Sequence, residues 1–367
     1  MKTTMTAQAI VGGALMLGMV SCGATHYKIA TRLNADGSCL REVYARGDSA
    51  FLAGNWSRSP YTFQLDSSWQ VTPLDSGSRE RNDERYNVKI SKTFRAIDEI
   101  SAGLQCEDVV RPLFTPTETL QKRFRWFYTC YTFKAVYPCI ADKIPVAIDS
   151  FLSREEQALW LRGDFSACRG MNGMELNDEL DEIEKKFLTW RARIFYETYF
   201  EVICSFESSV GSSPYLPRLA AAKDSLFLML VKKNIDSVEE IGAIYRTLDV
   251  HFSTRYFSAT YSKNKAQIDK LCEAKLENLV FLEEGLFGKD IEYVLTMTGK
   301  VVDANAPLVA QDTLTWRVSA VRLLADDYEL TATSRKANAW AFAVVILLIA
   351  LSAYCSARVR HFTKVKR

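Results

Sequence analysis

The chain has 367 residues, with 46 Lys and Arg against 44 Asp and Glu and a formal net charge of +2. Hydrophobic residues make up 48% of it and aromatics 12%, enough for the core of one large domain or two ordinary ones. Between Gly23 and Lys336 the balance is 40 basic to 44 acidic residues, so the excess base lies at the two ends and nothing suggests a nucleic-acid surface.

Residues 1–21 read as a secretory signal. Lys2 is the charged start, Ala9 to Val20 is an apolar run too short to span a bilayer comfortably, and Ser21 is the small residue before a cleavage point. Cys22 resembles the modified cysteine of bacterial lipoproteins, with Met19 and Val20 where Leu and a small residue are usual, and so is a lipidation candidate. An ordinary cleaved signal and an uncleaved anchor are the alternatives.

Strand patterns follow over 22–144. Tyr27, Ile29, Thr31 and Leu33 share one face, "NADGS" supplies a turn and "CLREVYA" resumes, which predicts a hairpin. Tyr86, Val88, Ile90 and Phe94 repeat the period of two after the polar loop "DSGSRERNDER". "KRFRWFYTCYTFKAVYP" reads as one long strand ended by Pro138. Phe124, Trp126, Tyr128 and Cys130 lie on one side, with Phe127, Tyr131, Phe133 and Tyr137 on the other, and both faces are expected to be covered.

The period changes over 145–288, a helical insertion. "SREE" at Ser153 to Glu156 is a capping box. Leu180, Ile183, Phe187, Trp190 and Ile194 place one long amphipathic helix from Leu176 to about Phe206. "GSSPYLP" breaks it before a second helix in "RLAAAKDSLFLMLVKK". A third starts at a Ser237 cap, and a fourth runs through "SKNKAQIDKLCEAKLENLVFLEEGLFG". Alternation returns over 289–336, in Ile291, Tyr293, Leu295 and Met297, then Leu314, Trp316 and Val318, then Tyr328, Leu330 and Ala332.

The whole reads as an α+β fold: a curved antiparallel sheet built from N- and C-terminal strands, a long helical insertion, and one C-terminal transmembrane helix. That helix is the apolar run 337–357, with Trp340 and Tyr354 near its ends. A buried core helix is the alternative. Residues 358–367 form a basic tail with Arg358, Arg360, Lys364, Lys366 and Arg367, which the positive-inside rule places in the cytoplasm. With a secretory signal at the front, the expected location is a bacterial inner membrane, crossed once, with the bulk of the chain in the periplasm. Short tethers at both ends further suggest that the first and last strands are antiparallel neighbours, with both ends of the domain close to one membrane.

Seven cysteines fall in the exported part, an odd number. Cys130 and Cys139 are near enough in sequence to bridge; buried thiols are the equal alternative. No zinc-type spacing is present, and only His26 and His251 could add nitrogen ligands outside the membrane. There is no Gly-rich phosphate loop, no H-E-x-x-H and no nucleophile elbow, so neither an enzyme nor a bound cofactor is expected.

"LTMTGKVVDANAPLVAQDTLTWRV", then "YELTATSR", an apolar helix and a basic tail resemble the C-terminal part of LppM-type lipoproteins. The matching positions are Gly299, Val301, Asn305, Thr315 and Trp316. The resemblance covers about the last eighty residues and the lipoprotein-like start; the block from about 145 to 288 has no counterpart. It implies an exported β-rich domain linked to lipid or glycolipid binding, with no binding residue carried over. Two roles are therefore expected: an anchored domain that binds a membrane lipid or other amphiphile, or a scaffold that docks an envelope protein through the helical insertion. Oligomeric state is left open.

Overall fold

The structure is a computed structural model. It describes residues 25–74, 85–210, 216–231 and 283–365, together with 266–268, 270, 271, 275 and 279. Cys22, His251, Cys272, Ser237 and the third predicted helix lie outside the described residues.

The alternating segments form strands whose apolar faces point inward. β1 is Thr25–Leu33 and β2 is Cys39–Ala45, joined as the predicted hairpin with Leu33 opposite Cys39. β3 is Gln70–Pro73 and β4 is Val88–Phe94. β7 is Lys289–Thr296, β9 is Leu308–Ala310 and β10 is Thr313–Ser319. These seven make one sheet, in the order β3-β4-β2-β1-β7-β10-β9. A second sheet holds β5 (Thr117–Arg125), β6 (Tyr128–Tyr137), β11 (Tyr328–Ala337) and β8 (Lys300–Ala304), in the order β5-β6-β11-β8.

The α+β class and the joining of N- and C-terminal strands are as expected. Two details differ. The strands divide between two sheets, and the pairing that joins the two ends of the chain, β1 with β7, is parallel. The division spares a curved single sheet from covering both of its faces: the sheets face each other at β6 and β7, and Tyr61, Trp69 and Phe114 cover the β1-β2-β4 part of the larger one. Phe133 of β6 stacks on Tyr293 of β7 across the interface, with ring centroids 6.2 Å apart, and Trp316 packs edge-on to Tyr293 at 6.1 Å. The aromatic strands thus fill the interior.

β1 and β11 are not neighbours. They run in the same direction, as two cross-sheet ties establish. Arg41, opposite Thr31 of β1, meets Glu118, which stands opposite Ala135 and so level with Leu330 of β11. Farther along, the carbonyl of Leu33 accepts from Thr298 at 2.6 Å, and the carbonyl of Thr298 accepts from Ser334 at 2.7 Å. The C-terminal ends of β1, β7 and β11 therefore converge. Thr25 lies eight residues back along β1, about 26 Å at 3.3 Å per residue, at the end away from Ala337. The expected antiparallel pairing of first and last strands does not occur.

In the insertion, α1 (Arg154–Arg162) carries the predicted capping box: Ser153 Oγ accepts from the Glu156 amide at 3.2 Å, and Glu156 Oε2 accepts from the Ser153 amide at 2.7 Å. α2 is Gly173–Val210, the long helix expected, with Ile183, Phe187, Trp190 and Ile194 buried. α3 is Leu216–Val231. Arg193 ties α2 to α3 through Asp224 at 2.6 Å. Arg162 at the end of α1 donates to the carbonyl of Asp326 at 2.7 Å. The insertion is thus fastened beside the start of β11.

α4, Ala339–Val365, follows β11 directly. Its window Ala339–Ser356 has a mean hydropathy of 2.2 and is 6% buried. Among the described residues it is the one helix long and apolar enough to cross a membrane, and its exposure rules out the core-helix alternative. α4 leaves the domain at one end, the exit end.

Cys130 and Cys139 sit near opposite ends of an extended strand, about 30 Å apart at the rise of a strand, far beyond the ~7 Å reach of a disulfide. Both are free thiols. Burial pushes the thiols of Cys39 and Cys106 up to about 11, which makes them inert small hydrophobes.

Candidate functional site

The residues that carried the family resemblance come together where the chain passes between the sheets. Gly299 follows β7 and turns the chain into β8. Its φ is +87°, and a Cβ there would stand 2.6 Å from the carbonyl oxygen of Arg335, so backbone passes where a side chain would sit. Asn305 stands where the chain returns from β8 toward β9. Its Oδ1 accepts from Trp316 Nε1 and from the Thr331 amide, both at 2.9 Å, and its Nδ2 donates to the carbonyl of Glu329 at 2.7 Å. One amide therefore straps β10 of the first sheet to β11 of the second. Val301 packs half-buried against the core. Thr315 lies beside Trp316 in β10, paired with Val294 and Leu308. The cluster is a sheet-to-sheet fastening; the chemistry that it holds is structural.

A second polar group lies between the sheets. Arg41 Nη2 reaches both carboxylate oxygens of Glu118 at 2.7 Å. Tyr293 donates to the same carboxylate, and Thr31 donates to Tyr293 at 3.4 Å. The Arg41 and Glu118 side chains are 3% and 0% exposed. Burial and the Glu118 charge push the phenols of Tyr137 and Tyr293 well above their ordinary range. A groove of about 360 Å³ between α1 and α2 is lined by Glu155, Glu156, Cys168, Met171 and Lys186, among others. Its central ion pair, Lys186 to Glu156 at 2.5 Å, involves the capping-box carboxylate, so that contact too serves the fold.

The exposed chemistry gathers at the exit end. "KRFRWFYTC" is not one strand. It folds back at Trp126–Phe127, with Arg125 opposite Tyr128, into a β5–β6 hairpin. A two-residue hairpin turn normally takes Asn-Gly or a relative with positive φ, whereas Trp126 and Phe127 carry none. An outside group holds this turn. Asn338, the residue before α4, donates Nδ2 to the carbonyls of Arg125 at 2.9 Å and Trp126 at 3.2 Å. Its own amide donates to the Phe127 carbonyl at 2.9 Å, and its Oδ1 accepts from Thr129 at 2.9 Å.

The bracket brings six aromatic rings together. Phe124 stacks on Trp340 of α4 at 6.2 Å, Trp126 meets Trp340 edge-on at 5.3 Å, Phe127 lies 4.9 Å from Phe342, and Tyr128 lies 6.0 Å from it. All six remain exposed, Phe124 to 58% and Trp126 to 50%. The expectation that Phe124, Trp126, Phe127 and Tyr128 are covered is thus overturned, because the turn carries them beyond the edge of the core. Sequence reading missed both the turn and Asn338. The available signal was aromatic character on both faces at once from Phe124 to Tyr128, which period-two burial does not produce.

No protein-family model matches the chain, and no curated protein matches it. A solved NMR structure of the Mycobacterium tuberculosis LppM folded domain superposes on 86% of this chain and 92% of that one, at 8% identity and a TM-score of 0.27. A superposition of that quality does not establish a shared fold.

The exit end thus gathers the six exposed rings beside the start of α4. An apolar collar of this size is stable where one side is apolar and the other wet. The flanking strands add Arg123 and Arg125 of β5 and Arg335 and Lys336 of β11, all exposed.

Proposed function

We propose that this chain is a single-pass membrane protein whose α+β domain stands on the bilayer with the β5–β6 hairpin in the headgroup region, and that it works as a lipid-engaging module. One observation carries the reading: the exposed rings of Phe124, Trp126, Phe127 and Tyr128 wrap the first turn of the apolar helix α4. Aromatic rings favour the boundary between headgroups and acyl chains, the level at which such a helix enters. The contact with lipid is then at the surface of the domain, since the space between the sheets is filled by Phe133, Tyr293 and Trp316. The basic tail supports a cytoplasmic C-terminus, and the signal-like start supports export of the domain in a bacterial inner membrane.

The test is fluorescence quenching of the full chain in vesicles that carry brominated lipids. Trp126 contributes the difference between the wild type and Trp126→Phe. That difference is expected to be quenched more strongly by bromine near the headgroups than by bromine at the bilayer centre. Absence of quenching by either would overturn the reading. A reporter fused after Arg367 is expected to be active only in the cytoplasm.

A scaffold role is the second reading. It draws support from Leu228 and Met229, exposed on α3 of the insertion. The insertion is fastened beside the start of β11, at the end away from α4, so a protein docked there would not compete with lipid.

A further inference from the structure

Beside the aromatic collar, the outer face of the four-stranded sheet carries cations in register. Arg123 of β5 stands opposite Cys130 of β6, Cys130 stands opposite Arg335 of β11, and Arg335 stands opposite Lys300 of β8. Directly paired residues point to the same side, so the row Arg123, Cys130, Arg335 and Lys300 lies across one face. With strands about 4.8 Å apart, the two arginines are about 10 Å apart over the half-buried Cys130, and Lys300 lies one strand farther. The opposite face of the same strands, with Thr129, Tyr131 and Ser334, is buried. Nearer the exit end the next row on the outer face holds Arg125, Tyr128 and Ala337.

Among the described residues no carboxylate pairs with Arg123, Arg125, Lys300 or Arg335, whereas Lys134 in the same sheet pairs with Glu329 at 2.8 Å. The row on the other side, away from the exit end, carries Gln121, Thr132, Thr333 and Asp303, so positive charge is concentrated toward α4. Arg335 is four residues before the start of α4, about 13 Å along an extended chain. An arginine side chain spans about half of that distance, and a guanidinium fork matches phosphate oxygens in pairs.

We propose that Arg123, Arg335 and Lys300, with Arg125 one row nearer the exit end, form a docking row for the phosphates of anionic phospholipids in the leaflet that α4 enters from the domain side. The proposal rests on the reading above, since it takes the collar to lie at the headgroup level. It adds the lipid class. The collar supplies depth and is indifferent to headgroup charge; the row supplies selectivity. Continuity with the collar and complementarity of charge point to lipid over a soluble acidic protein, which would have to share the row with the bilayer surface.

The experiment uses the full chain in nanodiscs of mixed phosphatidylcholine and phosphatidylglycerol, followed by native mass spectrometry of the lipids retained. The five cations of the tail are replaced by Gln in every sample, so that they do not contribute. Phosphatidylglycerol is expected to be enriched over its share of the mixture at low salt. Each of Arg123→Gln and Arg335→Gln is expected to cut that enrichment by about fivefold, the factor for one cation near an anionic surface. Lys134→Gln, on the same face but away from the exit end, is expected to leave it unchanged. Circular dichroism confirms that each variant folds.

Retention in proportion to the mixture, or enrichment that survives the double replacement, would overturn the proposal. If that happens while Trp126 is still quenched near the headgroups, the lipid-engaging reading stands and the anionic row falls. If Trp126 is not quenched, both fall.

Discussion

Asn338 donates its backbone N–H to the carbonyl of Phe127 at 2.9 Å, across 211 positions of sequence, and so fastens the tip of a hairpin to the first turn of the apolar helix. Its side chain adds two donors to the same turn and accepts from Thr129. The turn has unfavourable residues for its length, and Asn338 supplies the hydrogen bonds that hold it. Asn338→Ala is expected to keep the helix and release the hairpin. Hydrogen exchange at residues 125–128 should accelerate while exchange in the core of β6 stays slow. Equal acceleration through β6 would mean that the contact supports the whole sheet.

Breaking the pair between Arg41 and Glu118 leaves a charge buried without its partner. Glu118→Ala is expected to lower stability by about 3–5 kcal/mol. An apolar double replacement, Arg41→Met with Glu118→Leu, is expected to recover much of that loss, because the cost lies in the orphaned charge. Chemical denaturation of the two variants beside the wild type makes the comparison; a double variant as unstable as the single one would contradict it.

Gly299→Ala is expected to destabilise the domain by about 1–3 kcal/mol through its backbone conformation alone. The clash with the Arg335 carbonyl at 2.6 Å adds to that, and backbone cannot step aside as a side chain could. The melting temperature is the readout. Gly37 is the control: its φ is +104° with open space around it, so Gly37→Ala should suffer the strain without the clash and lose less.

Alkaline pH should unfold the domain through its buried phenols. Burial pushes Tyr27 up to about 12, and Tyr61, Tyr137 and Tyr293 also rise. A group whose pKa is raised on folding contributes stability that is fully present below its unfolded pKa. For tyrosine that value is about 10, and the stability is lost as pH climbs through the folded value. Stability is thus expected to fall between about pH 10 and pH 12. Tyrosinate absorbance should show exposed phenols ionising first and the buried set appearing together with unfolding.

Much of the fold was legible because burial imposes a period. Tyr27, Ile29, Thr31 and Leu33 alternate and all face the core. Ser153 and Glu156 wrote the start of α1 in four letters. The site at the exit end was hidden for a physical reason: the Trp126–Phe127 turn uses none of the residues that mark turns, because its hydrogen bonds come from Asn338. Asn305 and Trp316 carry the family resemblance in the sequence, yet their role as a strap needs the two sheets to be known. Arg41 and Glu118, 77 positions apart, leave one trace in the sequence. In "CLREVYA" Arg41 shares a face with Cys39, Val43 and Ala45, and a charge on the buried face of a strand announces a partner.

The common direction of β1 and β11 turns Cys22 into a gauge of tilt. Only Gly23 and Ala24 separate it in sequence from Thr25, a tether of about 11 Å at full extension from the end of the domain away from α4. If the domain stands upright on its hairpin, an acyl chain on Cys22 hangs in water or enters some other apolar host. If instead the strands lie parallel to the bilayer, the same acyl chain reaches the leaflet. Labelling with a fatty-acid analogue, in wild type and Cys22→Ala, thereby reports more than a modification. A lipidated Cys22 buried in the leaflet of α4 means a reclining domain, and its absence there leaves the upright posture free.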